Sequence, residues 1–263
     1  MKPVLRFAFL AVFLLAISFP VVAQSPPTEF IQIITTTVRS TGVTEYEDYV
    51  KQIIAGLDKI GSPQRVVVYQ VGLGGPSFTY NIVLPFNKWE DMDGWPSIAQ
   101  ILTRAYGDAE GAKILQSGRN AIEHSESTVF RTLKNLSTRP RLNDPPAPFV
   151  MVVRTEIDPS MSVSYENYLS KLKAAQEKEP GNRTVNRSVS VLGSGVTYLG
   201  ANFFNKHAER DNWSVVTDLM KKTYGDAEGQ KLSEGSLRAV RKREIFIQSY
   251  RPDLSRLAPI PPR

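Results

Sequence analysis

A six-residue run, Tyr106-Gly107-Asp108-Ala109-Glu110-Gly111, returns unchanged 118 residues later as Tyr224-Gly225-Asp226-Ala227-Glu228-Gly229. The same spacing pairs Thr79-Tyr80 with Thr197-Tyr198, Phe86-Asn87-Lys88 with Phe204-Asn205-Lys206, Trp95 with Trp213 and Lys113 with Lys231. Upstream the register slips by one, matching Tyr46-Glu47 to Tyr165-Glu166 and Tyr49 to Tyr168. Further back, Val38-Arg39 is matched to Val153-Arg154 by allowing a longer loop in the second copy. A collinear series of this kind is an internal duplication, and it predicts two like structural units. The expected layout is a first module over 28–138, a Pro-rich linker over 139–148, a second module over 149–250 and a Pro-rich tail over 251–263.

The periodicities recur in one order. Ile31 to Val38 and Phe149 to Ile157 are short and β-branched, as strands are. Thr44 to Ile60 and Ser162 to Glu177 place apolar residues at three and four spacing, which predicts amphipathic helices. Gln64 to Leu73 and Thr184 to Leu192 read as strands that turn at Gly74-Gly75 or Gly193-Ser194-Gly195 into Phe78 to Leu84 or Val196 to Phe204. Helices over Asp91 to Ala105 and Asp108 to Glu123 precede a strand near Thr128 to Leu133, and the second copy closes with Glu244 to Tyr250. The order β-α-β-β-α-α-β leaves one sheet face bare. Exposed apolar surface costs roughly 25 cal/mol per Å², so the two sheets are expected to pack on each other or to close into a barrel.

Composition narrows the function classes. With 41% hydrophobic and 22% charged residues the chain is neither disordered nor a multi-span membrane protein. Its formal charge of +6 is scattered among acids without a recognition motif, so nucleic acid is not an expected partner. Lys2 and Arg6 precede an apolar stretch from Phe7 to Phe19 and the small-residue end at Ala23, the pattern of a secretory signal peptide over 1–23. Export to the periplasm or beyond is expected, with membrane contact only through that transient segment. Cysteine is absent, which removes disulfides, thiol nucleophiles and Cys metal ligands. Four Asn-X-Ser/Thr triplets, among them Asn186-Arg187-Ser188, are read as chance matches.

The duplicated order and the extra helix after Tyr106-Gly107 and Tyr224-Gly225 resemble the dimeric α/β-barrel superfamily in a fused, tandem form, from about Phe30 to Tyr250. The resemblance implies an α+β fold: two tandem ferredoxin-like βαββα(α)β modules packed as an intramolecular pseudo-dimeric α/β barrel. Members of that superfamily include cofactor-free monooxygenases, haem-dependent enzymes, isomerases, decyclases and ligand-binding regulators. Fold alone does not choose among these.

Several residues are candidates for chemistry. Tyr80 and Tyr198 occupy matched strand positions, and Gly200 and Asn202 replace bulkier residues beside Tyr198, which would open a polar cavity. Arg39 and Arg154 are read as a duplicated cation at the end of the first strand, suited to a carboxylate or an anionic ligand. Trp95 and Trp213 are read as helix residues that pack in the core, with a ligand-stacking role for Trp213 as the alternative. His207 is the position a haem iron would use, although no cofactor and no metal is expected. Gly107 and Gly225 are read as helix C-terminal caps, with Asp108 and Asp226 capping the following helix.

The expected ligand-binding set is therefore Tyr80, Tyr198, Asn202, Arg39, Arg154, His207 and Trp213. It serves a small organic molecule in a cavity between sheet and helices. Two other readings stand beside it: a cofactor-independent monooxygenase or lyase, and a structural protein-interaction module. The chain is expected as a monomeric pseudo-dimer or a homo-oligomer.

Overall fold

The computed structural model describes residues 28–138, 145–179, 183–193 and 195–258. The expected signal peptide and residues 24–27, residues 139–144 of the expected linker, 180–182, Ser194 and 259–263 lie outside the described residues. The first module runs β1 (Phe30–Val38), α1 (Val43–Lys59), β2 (Val67–Leu73), β3 (Thr79–Phe86), α2 (Ile98–Tyr106), α3 (Asp108–Ala121) and β4 (Ile122–Thr132). The second repeats the order as β5 (Phe149–Ile157), α4 (Ser162–Glu177), β6 (Thr184–Leu192), β7 (Val196–Phe204), α5 (Val216–Tyr224), α6 (Asp226–Ala239) and β8 (Val240–Tyr250).

The strands close into one antiparallel barrel in the order β1-β3-β2-β8-β5-β7-β6-β4. Each module contributes four strands, and two seams join the modules, β2 to β8 and β4 to β6. Closure leaves no free sheet edge and turns the bare face of each sheet inward. The fold is the α+β pseudo-dimeric barrel that the duplication predicts.

Strand alternation then sorts the core into three parts. Outward residues such as Val38, Val68 and Tyr80 pack with α1 to α3, and Ile157, Val189 and Tyr198 pack with α4 to α6. Inward residues, among them Ile31, Val67, Tyr69, Phe130, Val152 and Leu199, form the barrel interior.

The modules also exchange arms. After β4 the chain crosses onto the second module, where Leu133 and Leu136 join its helix–sheet core and the Thr138 amide donates to the Val185 carbonyl at 2.8 Å. After β8 it crosses back: Leu254 is fully buried in the first module's core, and the Arg256 amide donates to the Val66 carbonyl at 2.7 Å. Residues Arg251–Arg256 of the expected tail are thus docked on the neighbouring module.

The repeated hexapeptide is a helix–helix junction. Gly107 and Gly225 have φ of 83° and 85°, which disfavours side chains. A Cβ on Gly111 would lie 2.9 Å from the Leu102 backbone, and one on Gly229 would lie 2.5 Å from Lys221 Cα. The second glycine of each copy is therefore what lets the paired helices touch.

Three expectations are corrected by this architecture. Asp108 and Asp226 are the first helical residues, with Gly107 and Gly225 at the cap and no side-chain capping bond, so these acids act only on the helix dipole. Trp95 and Trp213 precede α2 and α5 instead of lying in a helix, because Pro96 disfavours helical backbone at Trp95 and α5 starts only at Val216. Finally, β4 begins at Ile122: its polar first half carries no apolar alternation, yet pairs with β1 along its whole length.

Candidate functional site

A cavity of about 140 Å³ lies inside the barrel, bounded by inward residues of both modules. Its walls are mostly apolar, with Ile31, Val67, Phe130, Val152, Leu199 and Phe246 contributing. Pro146 and Ala147, which lead into β5, line one end. Farther along β5, Arg154 reaches across to Glu126 on β4, its Nη1 donating to Oε1 at 3.0 Å. The space between sheet and helices, where the sequence predicts a cavity, is instead filled by the two outer clusters.

The polar groups of the interior divide into satisfied and unsatisfied. Thr35 Oγ1 donates to Asn81 Oδ1 at 2.8 Å, and Asn81 Nδ2 donates to Gln248 Oε1 at 2.8 Å, which links the two modules through a buried amide pair. Asn186 differs. It is 5% exposed and lines the cavity, and neither its Oδ1 nor its Nδ2 has a partner among the described residues. Thr132 Oγ1, on the neighbouring strand, is also buried without a partner among the described residues. In folded proteins such groups nearly always find one.

The two seams are related by the duplication. Tyr69 pairs with Tyr250 across β2 and β8, and their rings lie 5.8 Å apart between centroids. The corresponding pair across β4 and β6 is Thr132 with Ser188, and Val67 is replaced by Asn186. One seam is filled by two phenols, with burial pushing the Tyr69 hydroxyl pKa upward. The other carries small polar side chains around open space.

The structure scatters the seven residues expected to bind a ligand. Tyr80 and Tyr198 point outward, donating to Glu47 Oε1 at 2.7 Å and Glu166 Oε1 at 2.9 Å. Burial, followed by these carboxylates, raises both phenol pKa values. Asn202 also points outward and spends its Nδ2 on the carbonyls of Met151 and Gly200, at 3.2 and 3.3 Å. His207 is exposed on a short 3-10 turn against Phe149, 4.5 Å between ring centroids. Trp213 sits edge-on to Phe204 and under the Arg183 guanidinium. Arg39 is exposed and donates to the Asn120 carbonyl at 2.7 Å. Arg154 alone among the seven lines the cavity.

Two further expectations are corrected. Strand register makes Arg39 the counterpart of Asp158, since both amides donate to the carbonyl that ends the last helix of their own module, Ala121 or Ala239. Arg154 then corresponds to Thr35, so the cation is not duplicated. The room left by Gly200 is no cavity either. Arg187 pairs with Gly200 where Val68 pairs with Ile82, and its buried guanidinium donates to the Leu136 carbonyl and to Gln176 Oε1. Burial pulls its pKa down to about 10.

Asn186, Ser188 and Thr132 escape sequence reasoning. The signal lies in comparing the copies strand by strand: they are the inward positions where the first copy's Val67 and Tyr69, and the second copy's Tyr250, become polar or small.

The residues do not fit a haem group. His207 lies outside the barrel and exposed, and no histidine lines the cavity. Among the described residues no cluster of three or more His, Cys, Asp or Glu is arranged to hold a metal ion.

No protein-family model and no curated protein matches the chain. Solved structures do resemble it. A candidate monooxygenase of Fusobacterium nucleatum is 9% identical with a TM-score of 0.54, covering 86% of this chain and 93% of its own. An anthrone oxidase-like protein is 9% identical at 0.54, covering 86% and 92%. A mutant chlorite dismutase of Candidatus Nitrospira defluvii is 11% identical at 0.50, covering 86% and 93%. At such identities the likeness carries the fold: the chain has the dimeric α/β-barrel architecture, with both halves on one polypeptide.

Proposed function

We propose that this is an exported protein that binds a small organic molecule inside its barrel. The observation that carries the reading is the mainly apolar cavity within the barrel, with a buried asparagine whose amide has no partner among the described residues. Binding sites combine apolar walls with a few placed polar groups in this way. Export rests on the basic and apolar pattern before Ala23. Binding is favoured over turnover because Glu126, the carboxylate on the cavity wall, is engaged by Arg154.

Native mass spectrometry of the purified protein, followed by thermal melts with single-ring compounds, tests the reading. A ligand at 100 times its Kd adds about 2.7 kcal/mol, which raises Tm by roughly 5 to 10 °C for a chain of this size. Ala201→Phe, which fills the cavity from β7, is expected to abolish the shift. No retained ligand, no shift and a mass that grows with concentration would favour a partner-binding module.

A further inference from the structure

Resting on that reading of the cavity, we infer that its ligand is a neutral single-ring molecule carrying an adjacent N–H and C=O, a lactam or 2-pyridone edge, and that this edge docks on Asn186. A primary amide presents a donor, Nδ2–H, beside an acceptor, Oδ1. The group that satisfies both at once is another amide edge in the cis arrangement. Both atoms of Asn186 lack partners among the described residues, and the adjacent Thr132 hydroxyl offers a third contact. A buried polar group left unsatisfied loses its hydration without a replacement, so a ligand that pairs with it gains the difference.

The barrel itself does not require this polarity. The counterpart of Asn186 is Val67, buried in the same interior, so an apolar residue serves there. Nor does the interior lack the means to satisfy an amide, because Asn81 donates to Gln248 Oε1 and accepts from Thr35 Oγ1. Asn186 is thus a polar group placed at open space.

Size and charge narrow the class further. A cavity of about 140 Å³ is close to the engineered apolar cavity of about 150 Å³ that holds one benzene. Its apolar walls suit the faces of one ring. A carboxylate would arrive with an uncompensated charge, since Arg154 is already paired with Glu126.

Calorimetric titration of the full chain with 2-pyridone, N-methyl-2-pyridone and benzene tests the inference. Losing a hydrogen bond to a buried amide costs tenfold or more, so 2-pyridone should bind at least about tenfold more tightly than either analogue. Asn186→Val installs the first copy's residue, and should reduce that advantage to within about twofold while keeping benzene binding. If benzene and the N-methyl compound bind as tightly as 2-pyridone, the cavity remains a binding site but the inference falls. A preference that survives in Asn186→Val overturns the assignment to Asn186. If none of the three binds, the reading of the cavity as a binding site falls as well. The wild-type comparison decides the ligand class even if the variant folds poorly.

Discussion

The two seams of the barrel descend from one sequence and have parted. At β2–β8 the interior is sealed by Tyr69 against Tyr250 and by Val67. At β4–β6 the same three positions hold Ser188, Thr132 and Asn186, so the cavity wall is small and polar there, where the other seam lines it with Tyr69 and Val67. A barrel made of two identical chains presents the same residues at both seams, by symmetry. Fusing the halves lifts that constraint, so one seam can hold the barrel shut while the other keeps room and polarity.

The largest test of this contrast is truncation at the filled seam. Tyr69→Ala removes a ring that is 6% exposed and should cost about 3 to 5 kcal/mol in a urea melt. Ser188→Ala, its counterpart, should stay within about 0.5 kcal/mol. Equal losses would mean that the seams share the load evenly.

The outer faces have parted too, and a paired exchange probes them. Arg187→Val strands the Leu136 carbonyl and Gln176 and opens a hole over Gly200, at a cost of about 3 kcal/mol. Adding Gly200→Ile restores the first copy's Val68–Ile82 pair and should recover at least about 1 kcal/mol. Strict additivity in the double-mutant cycle would show that the two positions do not compensate each other.

Asn186→Val should act in the opposite direction. Removing an unsatisfied buried amide in favour of the first copy's residue is expected to stabilise the ligand-free protein by about 1 kcal/mol. A destabilisation of that size would show that the amide is already satisfied in the free protein.

The smallest effect concerns the exchanged arms. Arg251 forks onto both Glu47 oxygens, whereas its counterpart in the other arm is Leu133. The hydrogen bonds from Arg251, more than any other cause, hold the Glu47 carboxyl below the ordinary carboxylate range. A lowered folded-state pKa means that this contribution is complete above the unfolded value and is lost as pH falls through the folded one. Acid should therefore move the NMR amide signals of Val66 and Arg256 before those of Thr138 and Val185. Simultaneous movement would contradict the difference between the arms.

The fold is largely legible in the sequence because duplication and strand periodicity are properties of many residues at once. Thr184 to Leu192, Val196 to Phe204 and Ser162 to Glu177 fall where the periodicity puts them. The site is not legible in the same way. Whether Asn202 or Asn186 faces the interior depends on strand parity, and one residue of slip reverses it. Chemical likeness matches Arg39 to Arg154, while pairing register matches it to Asp158. Gly200 suggests a void because Arg187, on the neighbouring strand, cannot be placed over it without the pairing register. The cavity itself arises only on closure, when positions from both modules converge.

The side-chain amide signals of Asn186, followed by nitrogen-15 NMR during titration with 2-pyridone, test the central claim most directly. The Asn186 Nδ2 protons are expected to shift on binding while those of Asn202, which faces the helices and is already spent on the Met151 and Gly200 carbonyls, stay in place. Shifts confined to Asn202 and the outer helix–sheet layers, with Asn186 unmoved, would place the ligand elsewhere and contradict it.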